Sequence, residues 1–163
     1  MDKFELLSKK IALNKVELQR LVNIYKFQSK KIVFSNGCFD IIHRGHIEYL
    51  AKAASLGDIL IIGINTDSSV RKLKGENRPV QDETARALVM ASLSFVDKII
   101  LFDEETPYEL INYIKPDILV KGSDYSVENI VGADIVLKNG GKVETIDLVE
   151  GYSTSSIIEK ACK

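Results

Sequence analysis

Short apolar runs rich in β-branched residues recur along the chain, each followed by a segment of helical character. This alternation constrains the fold more than any other feature of the sequence. Ile32-Val33-Phe34 is the first run, and Ile59 to Ile64, Lys98 to Leu101, Ile118 to Val120 and Lys142 to Ile146 follow it. Helices are expected from about Gly45 to Leu56, closed by Gly57, and after an Asp82 cap through Ala85, Leu88, Val89 and Leu93. Two more are expected, from Thr106, with Pro107 at the first helical position, to Ile114, and from Ser153 to Cys162. Parallel strands need long crossovers between them, and helices supply these. The expected architecture is therefore α/β: a doubly wound parallel sheet of about five strands with helices on both faces.

Asn14 followed by Glu17 fits a capping box, and Val16, Leu18, Leu21, Val22 and Tyr25 then recur at helical spacing. Residues 1–28 are read as an N-terminal helical extension and 29–163 as the main domain. The extension could pack on the sheet or pair with a second subunit. A length of 163 residues suits one domain with an adequate core. A net charge of −1 disfavours a nucleic-acid partner. The longest apolar stretch, Ile59 to Ile64, falls far short of the roughly 20 residues that a membrane span needs. No signal peptide is legible at the start of the chain, and Cys38 and Cys162 form no disulfide framework, so a cytoplasmic location is expected.

Both histidines of the chain fall in one tetrapeptide, His43-Arg44-Gly45-His46, just after the first strand and at the start of a helix. Ligands of open α/β sheets bind beyond the carboxyl ends of the strands, near the point where strand order reverses. A helix N-terminus there offers free N–H groups to phosphate, and Gly45 leaves room for close approach to the backbone. Two imidazoles in the same turn add hydrogen-bond donors. The alternatives are a purely structural histidine pair, or a zinc site made by Cys38, His43 and His46 with Asp40 as fourth ligand. Arg71, Lys72 and Lys74 form a basic cluster after Asp67: either a solvated face or a mobile loop, hinged at Gly75, that closes a lysine over phosphates. Asp40 and Asp67 lie beyond strand ends, where a carboxylate orients a nucleotide, a lysine or Mg²⁺, or simply caps a turn. Ser153, Thr154 and Ser155 crowd a helix start with hydroxyls.

The run from Phe34 to His46 resembles the HxGH signature of the nucleotidyltransferase superfamily, in its cytidylyltransferase-like branch. The likeness continues through Asn65-Thr66-Asp67, Leu73 to Val80, Val120 to Tyr125 and Gly151 to Ser155. Together these segments are similar to the D-glycero-β-D-manno-heptose 1-phosphate adenylyltransferases, from about Lys31 to Ile158. Members of that family often stand behind a sugar kinase domain, and this chain is similar to the stand-alone form.

The resemblance implies a Rossmann-like fold and the transfer of AMP from ATP, carried with Mg²⁺, to the sugar phosphate. Pyrophosphate leaves and no covalent enzyme intermediate forms. It implies catalytic roles for His43, His46 and Lys74, and nucleotide binding by Asn36, Gly37, Phe39, Asp40, Gly45, Asn65, Asp67 and Arg86. Lys121, Gly122, Asp124, Tyr125, Ser153, Thr154 and Ser155 would complete the nucleotide site, with Lys72 and Arg78 on the sugar phosphate. No protein-bound metal, nucleic acid or membrane partner is expected; a homo-oligomer, as a dimer, is. Glycerol-phosphate cytidylyltransferases carry an arginine that helps to recognise cytosine where this chain has Leu148, which disfavours CTP. A cytidylyltransferase acting on glycerol 3-phosphate or a similar alcohol phosphate remains the alternative enzyme. An inactive nucleotide-binding module is the alternative outside enzymes.

Overall fold

The computed structural model describes residues 2–123 and 126–161. The strands are β1 (Ile11–Ala12), β2 (Ile32–Gly37), β3 (Ile59–Asn65), β4 (Lys98–Phe102), β5 (Ile118–Gly122) and β6 (Lys142–Ile146). The helices are α1 (Lys3–Ser8), α2 (Lys15–Phe27), α3 (Arg44–Ala54), α4 (Asp67–Lys74), α5 (Glu83–Ala91), α6 (Tyr108–Ile114), α7 (Ala133–Lys138) and α8 (Thr154–Ala161). All the pairings are parallel, in the order β1-β4-β3-β2-β5-β6. The chain runs outward from β2 through β3 to β4, then crosses to the other side of β2 to lay down β5 and β6. Strand order therefore reverses between β2 and β5, and in open α/β sheets ligands bind beyond the carboxyl ends of the strands at such a point.

Both faces of the sheet are covered, which is why its central strands read as unbroken apolar runs. Phe34, Ile61 and Leu119 point to one side and pack against Leu18 and Val22 of α2, Leu110 and Ile114 of α6 and Val136 of α7. Val33, Ile62 and Val120 point to the other, against Tyr49 and Leu50 of α3 and Ala87 and Met90 of α5. The period-2 alternation of side chains thus builds two cores from one sheet.

The N-terminal segment joins this sheet. The Asn14 side chain accepts from the Glu17 amide at 2.9 Å, and Glu17 reaches back to the Leu13 amide at 2.8 Å, so α2 starts where the capping residues place it. Ile11 and Ala12 pair with Ile99 and Ile100, adding a sixth strand to the expected five. Several boundaries also differ from expectation. Pro107 caps α6 from outside its first turn, α3 begins at Arg44 and ends at Ala54, and α8 begins at Thr154. Cys162, expected at the end of the last helix, lies outside the described residues. Among the described residues, no helix is long and apolar enough to cross a membrane.

At the amino ends of the strands one device recurs. Asp58, Asp97 and Asp117 each stand one residue before a strand, and each carboxylate accepts a main-chain N–H from the neighbouring strand. Asp58 takes the Lys31 amide at 2.8 Å, Asp97 the Leu60 amide at 2.8 Å, and Asp117 the Ile32 amide at 2.7 Å. These bonds satisfy donors that the parallel ladder leaves unpaired at its entrance. Asp117→Ala strands the amide of the fully buried Ile32, which costs about 1–3 kcal/mol. The urea midpoint should fall accordingly with the m-value unchanged.

Candidate active site

The end of β2 delivers the chain into the crevice. Asn36 and Gly37 close the strand, and Phe39 takes a left-handed backbone (φ 46°) that a bulky residue seldom adopts. Lys121, near the end of β5, donates to Asn36 Oδ1 at 2.6 Å and to its carbonyl at 3.4 Å, joining the two strands that flank the reversal. Gly122 ends β5 beside it.

His43 is the N-cap of α3 without a side-chain capping bond. Its ring instead stacks on His46, with centroids 3.8 Å apart and planes at 24°. Phe39 meets the outer side of His46 edge-on at 5.4 Å. Both Nδ1 atoms are buried with no partner among the described residues. A buried polar atom left unbonded calls for an explanation, and in a crevice of this type a ligand is the natural one. Gly45 also makes room inside the chain. A Cβ there would lie 3.1 Å from His43 Cε1 and Nδ1, so the missing side chain makes room for that ring, with Tyr152 Cβ 3.6 Å away at contact distance.

Burial lowers the pKa of His43. His46 falls further, to about 4, through burial first and then the charges of His43 and Lys74, partly opposed by the Ile41 carbonyl. Both rings are therefore neutral at pH 7, each with one N–H and one bare nitrogen, while the positive charge nearby comes from Lys74. That lysine ends α4, so the basic cluster expected in a mobile loop lies on a helix instead, capped by Thr66 and closed by Gly75 (φ 93°). Lys74 acts on the pKa of His46 and of Cys38, whereas Lys72 acts on that of Asp103.

Several expected ligands turn out to be bonded to the protein itself. Asp40 is 2% exposed; its carboxylate takes Arg78 Nε at 2.7 Å and the amides of Val80 and Gln81 at 2.9 and 3.0 Å. Burial pushes its pKa up, but those amides and the guanidinium outweigh it and hold the carboxyl below its usual value. Arg78 is thereby fixed beside Asp40. Arg86, read from sequence as a phosphate ligand, is 1% exposed and lies beneath the site. It donates to the Cys38 carbonyl (2.6 Å), the Gln81 carbonyl (3.1 Å) and Asp67 Oδ1 (2.7 Å), tying the β2 loop, the 78–81 segment and α4 together. Asn65 is buried and donates to Ser69 Oγ at 3.0 Å. Ser153 caps α8 through the Ser156 amide, and Thr154 reaches the Ile41 carbonyl at 3.4 Å, while Ser155 is exposed. Asp124 and Tyr125 lie outside the described residues. Among the described residues, no three His, Cys, Asp or Glu side chains could jointly hold a metal ion.

Sequence reasoning missed Glu83, whose carboxylate accepts the Asp67 amide at 2.7 Å, and Tyr152, whose ring faces His43 at 6.4 Å. The available signal for Tyr152 was an aromatic residue directly before the Ser153–Ser155 run.

The cytidylyltransferase-like family profile matches residues 34–160. A bifunctional protein HldE from Campylobacter jejuni subsp. doylei is 59% identical over 142 residues, 87% of this chain and 30% of its own length. The protein of the same name from Citrifermentans bemidjiense is 57% identical over 133 residues, 82% of this chain and 27% of its own length. The chain therefore spans under a third of these curated relatives. Among solved structures, the lipopolysaccharide core biosynthesis protein from Thermoplasma volcanium superposes with a TM-score of 0.59 at 31% identity, covering 76% of this chain and 99% of that one. The matched region takes in the histidine pair, the crevice and the start of α8, and the chain belongs to the cytidylyltransferase-like family of nucleotidyltransferases.

Proposed function

We propose that the chain transfers AMP from ATP to D-glycero-β-D-manno-heptose 1-phosphate, yielding ADP-heptose and pyrophosphate. The observation that carries the reading is the stacked pair His43–His46, with its unpartnered buried nitrogens, at the N-terminus of α3 beside the strand reversal. Neutral donors, free helix amides and one nearby lysine suit a triphosphate, and they supply no nucleophile. A phosphate oxygen of the sugar attacks the α-phosphorus, the α–β bridging bond breaks, and the electron pair leaves with pyrophosphate. His43 and His46 hold the phosphates, and Lys74 stabilises the charge that develops as the bond breaks. Asp40, Arg86 and Asp67 position the loops around the nucleotide through the bonds described above. Mg²⁺ bound to the nucleotide would neutralise phosphate charge.

Support for the sugar comes from relatives named bifunctional protein HldE and from a structural neighbour described as a lipopolysaccharide core biosynthesis protein. Support for ATP over CTP comes from Leu148, which stands where the glycerol-phosphate enzymes carry an arginine. The reading includes a cytoplasmic location, where ATP is at hand, and a homodimer.

Pyrophosphate release, measured with each of the four nucleoside triphosphates, should require ATP together with the heptose 1-phosphate. Release with CTP and glycerol 3-phosphate, or nucleotide binding without turnover, would overturn the assignment. His46→Ala should lower turnover at least about 100-fold with circular dichroism unchanged. Lys74→Ala should depress kcat more than it raises KM for ATP, and the reverse pattern would remove the lysine from the chemical step. In the free protein, NMR should show His46 neutral down to about pH 4. Its unfolded form takes up a proton near pH 6.5, so its contribution to stability is complete above that pH and fades as pH falls toward 4. Bound triphosphate favours the imidazolium, so ATP should shift the titration upward.

A further inference from the structure

The His43–His46 stack continues beyond the two imidazoles. Tyr152 also stacks on His43, with centroids 6.4 Å apart and planes at 28°. This is an offset stack within the usual range for aromatic pairs. Arg44 extends over the ring of that tyrosine, its Cζ 5.7 Å from the centroid, and is held by Glu48 at 2.5 Å. Phe39 meets His46 edge-on, so pairwise contacts link Phe39, His46, His43, Tyr152 and Arg44. Three separate segments supply these residues: the loop after β2, the first turn of α3 and the approach to α8.

This packing has a specific requirement at Gly45, where a Cβ would press on the His43 ring at 3.1 Å, while Tyr152 Cβ, 3.6 Å away, stands at ordinary contact distance. His43 lacks the side-chain bond that normally fixes an N-cap residue, so its orientation rests on ring contacts. Tyr152 also stands one residue before Ser153, which caps α8. The contact that orients His43 therefore also sets the hydroxyl-rich start of α8 against the histidines.

We propose that Tyr152 is a positioning residue that holds the His43 ring face-on in the site and keeps Ser153–Ser155 in register with it. This rests on the reading of His43 as a phosphate ligand. Tyr152 itself touches no reacting atom. The titratable and charged groups packed about the pair are His46 on the same helix, Lys74 at the end of α4 and Tyr152, with Arg44 and Glu48 outside the tyrosine. Burial is what depresses His43, so uncovering one face of its ring should be visible in its titration.

The experiment compares the intact chain with Tyr152→Phe, Tyr152→Leu and Tyr152→Ala, by NMR titration of His43 and by AMP-transfer kinetics with ATP. In Tyr152→Ala the His43 midpoint should rise toward 6.5, its ordinary value. kcat should fall about tenfold, while KM for ATP changes less than about twofold. Tyr152→Phe keeps the flat face and should restore both readouts. Tyr152→Leu keeps bulk without the face and should follow Tyr152→Ala, which also covers the case in which alanine fails to fold. An unchanged His43 titration in the alanine and leucine variants, or a leucine variant matching the wild type, overturns the proposal. If His43 shifts as expected but the wild-type chain transfers no AMP, the positioning role stands and only the proposed reaction falls.

Discussion

A parallel sheet must bury both faces, and a chain that winds outward from a central strand in both directions must reverse somewhere. Here the reversal falls between β2 and β5, and everything of chemical interest depends on it. The loop after β2 turns through the left-handed Phe39 and enters α3, whose first-turn amides have no partner within the helix. Lys121 bridges the two diverging strands through Asn36 and holds the width of the gap.

Around this opening the protein separates donors from supports. The charged groups beneath and beside the site are engaged with the chain: Arg86 with two carbonyls and Asp67, Asp40 with Arg78 and two amides. A guanidinium buried as deeply as Arg86 needs every such bond, because an unpaired buried charge is strongly unfavourable. The histidine pair is the reverse case, with buried nitrogens left open. Rigid, satisfied surroundings around unsatisfied donors are what electrostatic preorganisation requires.

The parts of the molecule legible in sequence were those set by local patterns. The β-branched runs located the main strands, Asn14 and Asp82 located two helix starts, and the paired histidines fall at the start of α3, beside the strand reversal. Misreadings came where tertiary context overrides local signal. Ile11-Ala12 is too short to carry a strand period and becomes a strand only because Ile99 and Ile100 lie beside it. The segment from Asp67 to Lys74, polar and followed by glycine, reads as loop but is helical, capped by Thr66 and anchored by Val70 in the core. Arg86 and Asp40 carry charges that suggest ligand contact, and only the three-dimensional arrangement shows those charges already satisfied by their own chain. Tyr152 lies more than a hundred residues from His43, a proximity no local pattern encodes.

The aspartates at the amino ends of β3, β4 and β5 have a consequence for how such a protein can change. Each pins a strand to its neighbour at the end remote from the crevice, so alignment of the sheet is settled without help from the loops that carry chemistry. Mutations in those loops can then re-aim side chains, or admit a different acceptor, without shifting one strand past another. The sheet is fastened at its base and left adjustable at its rim, and new specificities can be tried at the rim while the frame stays put.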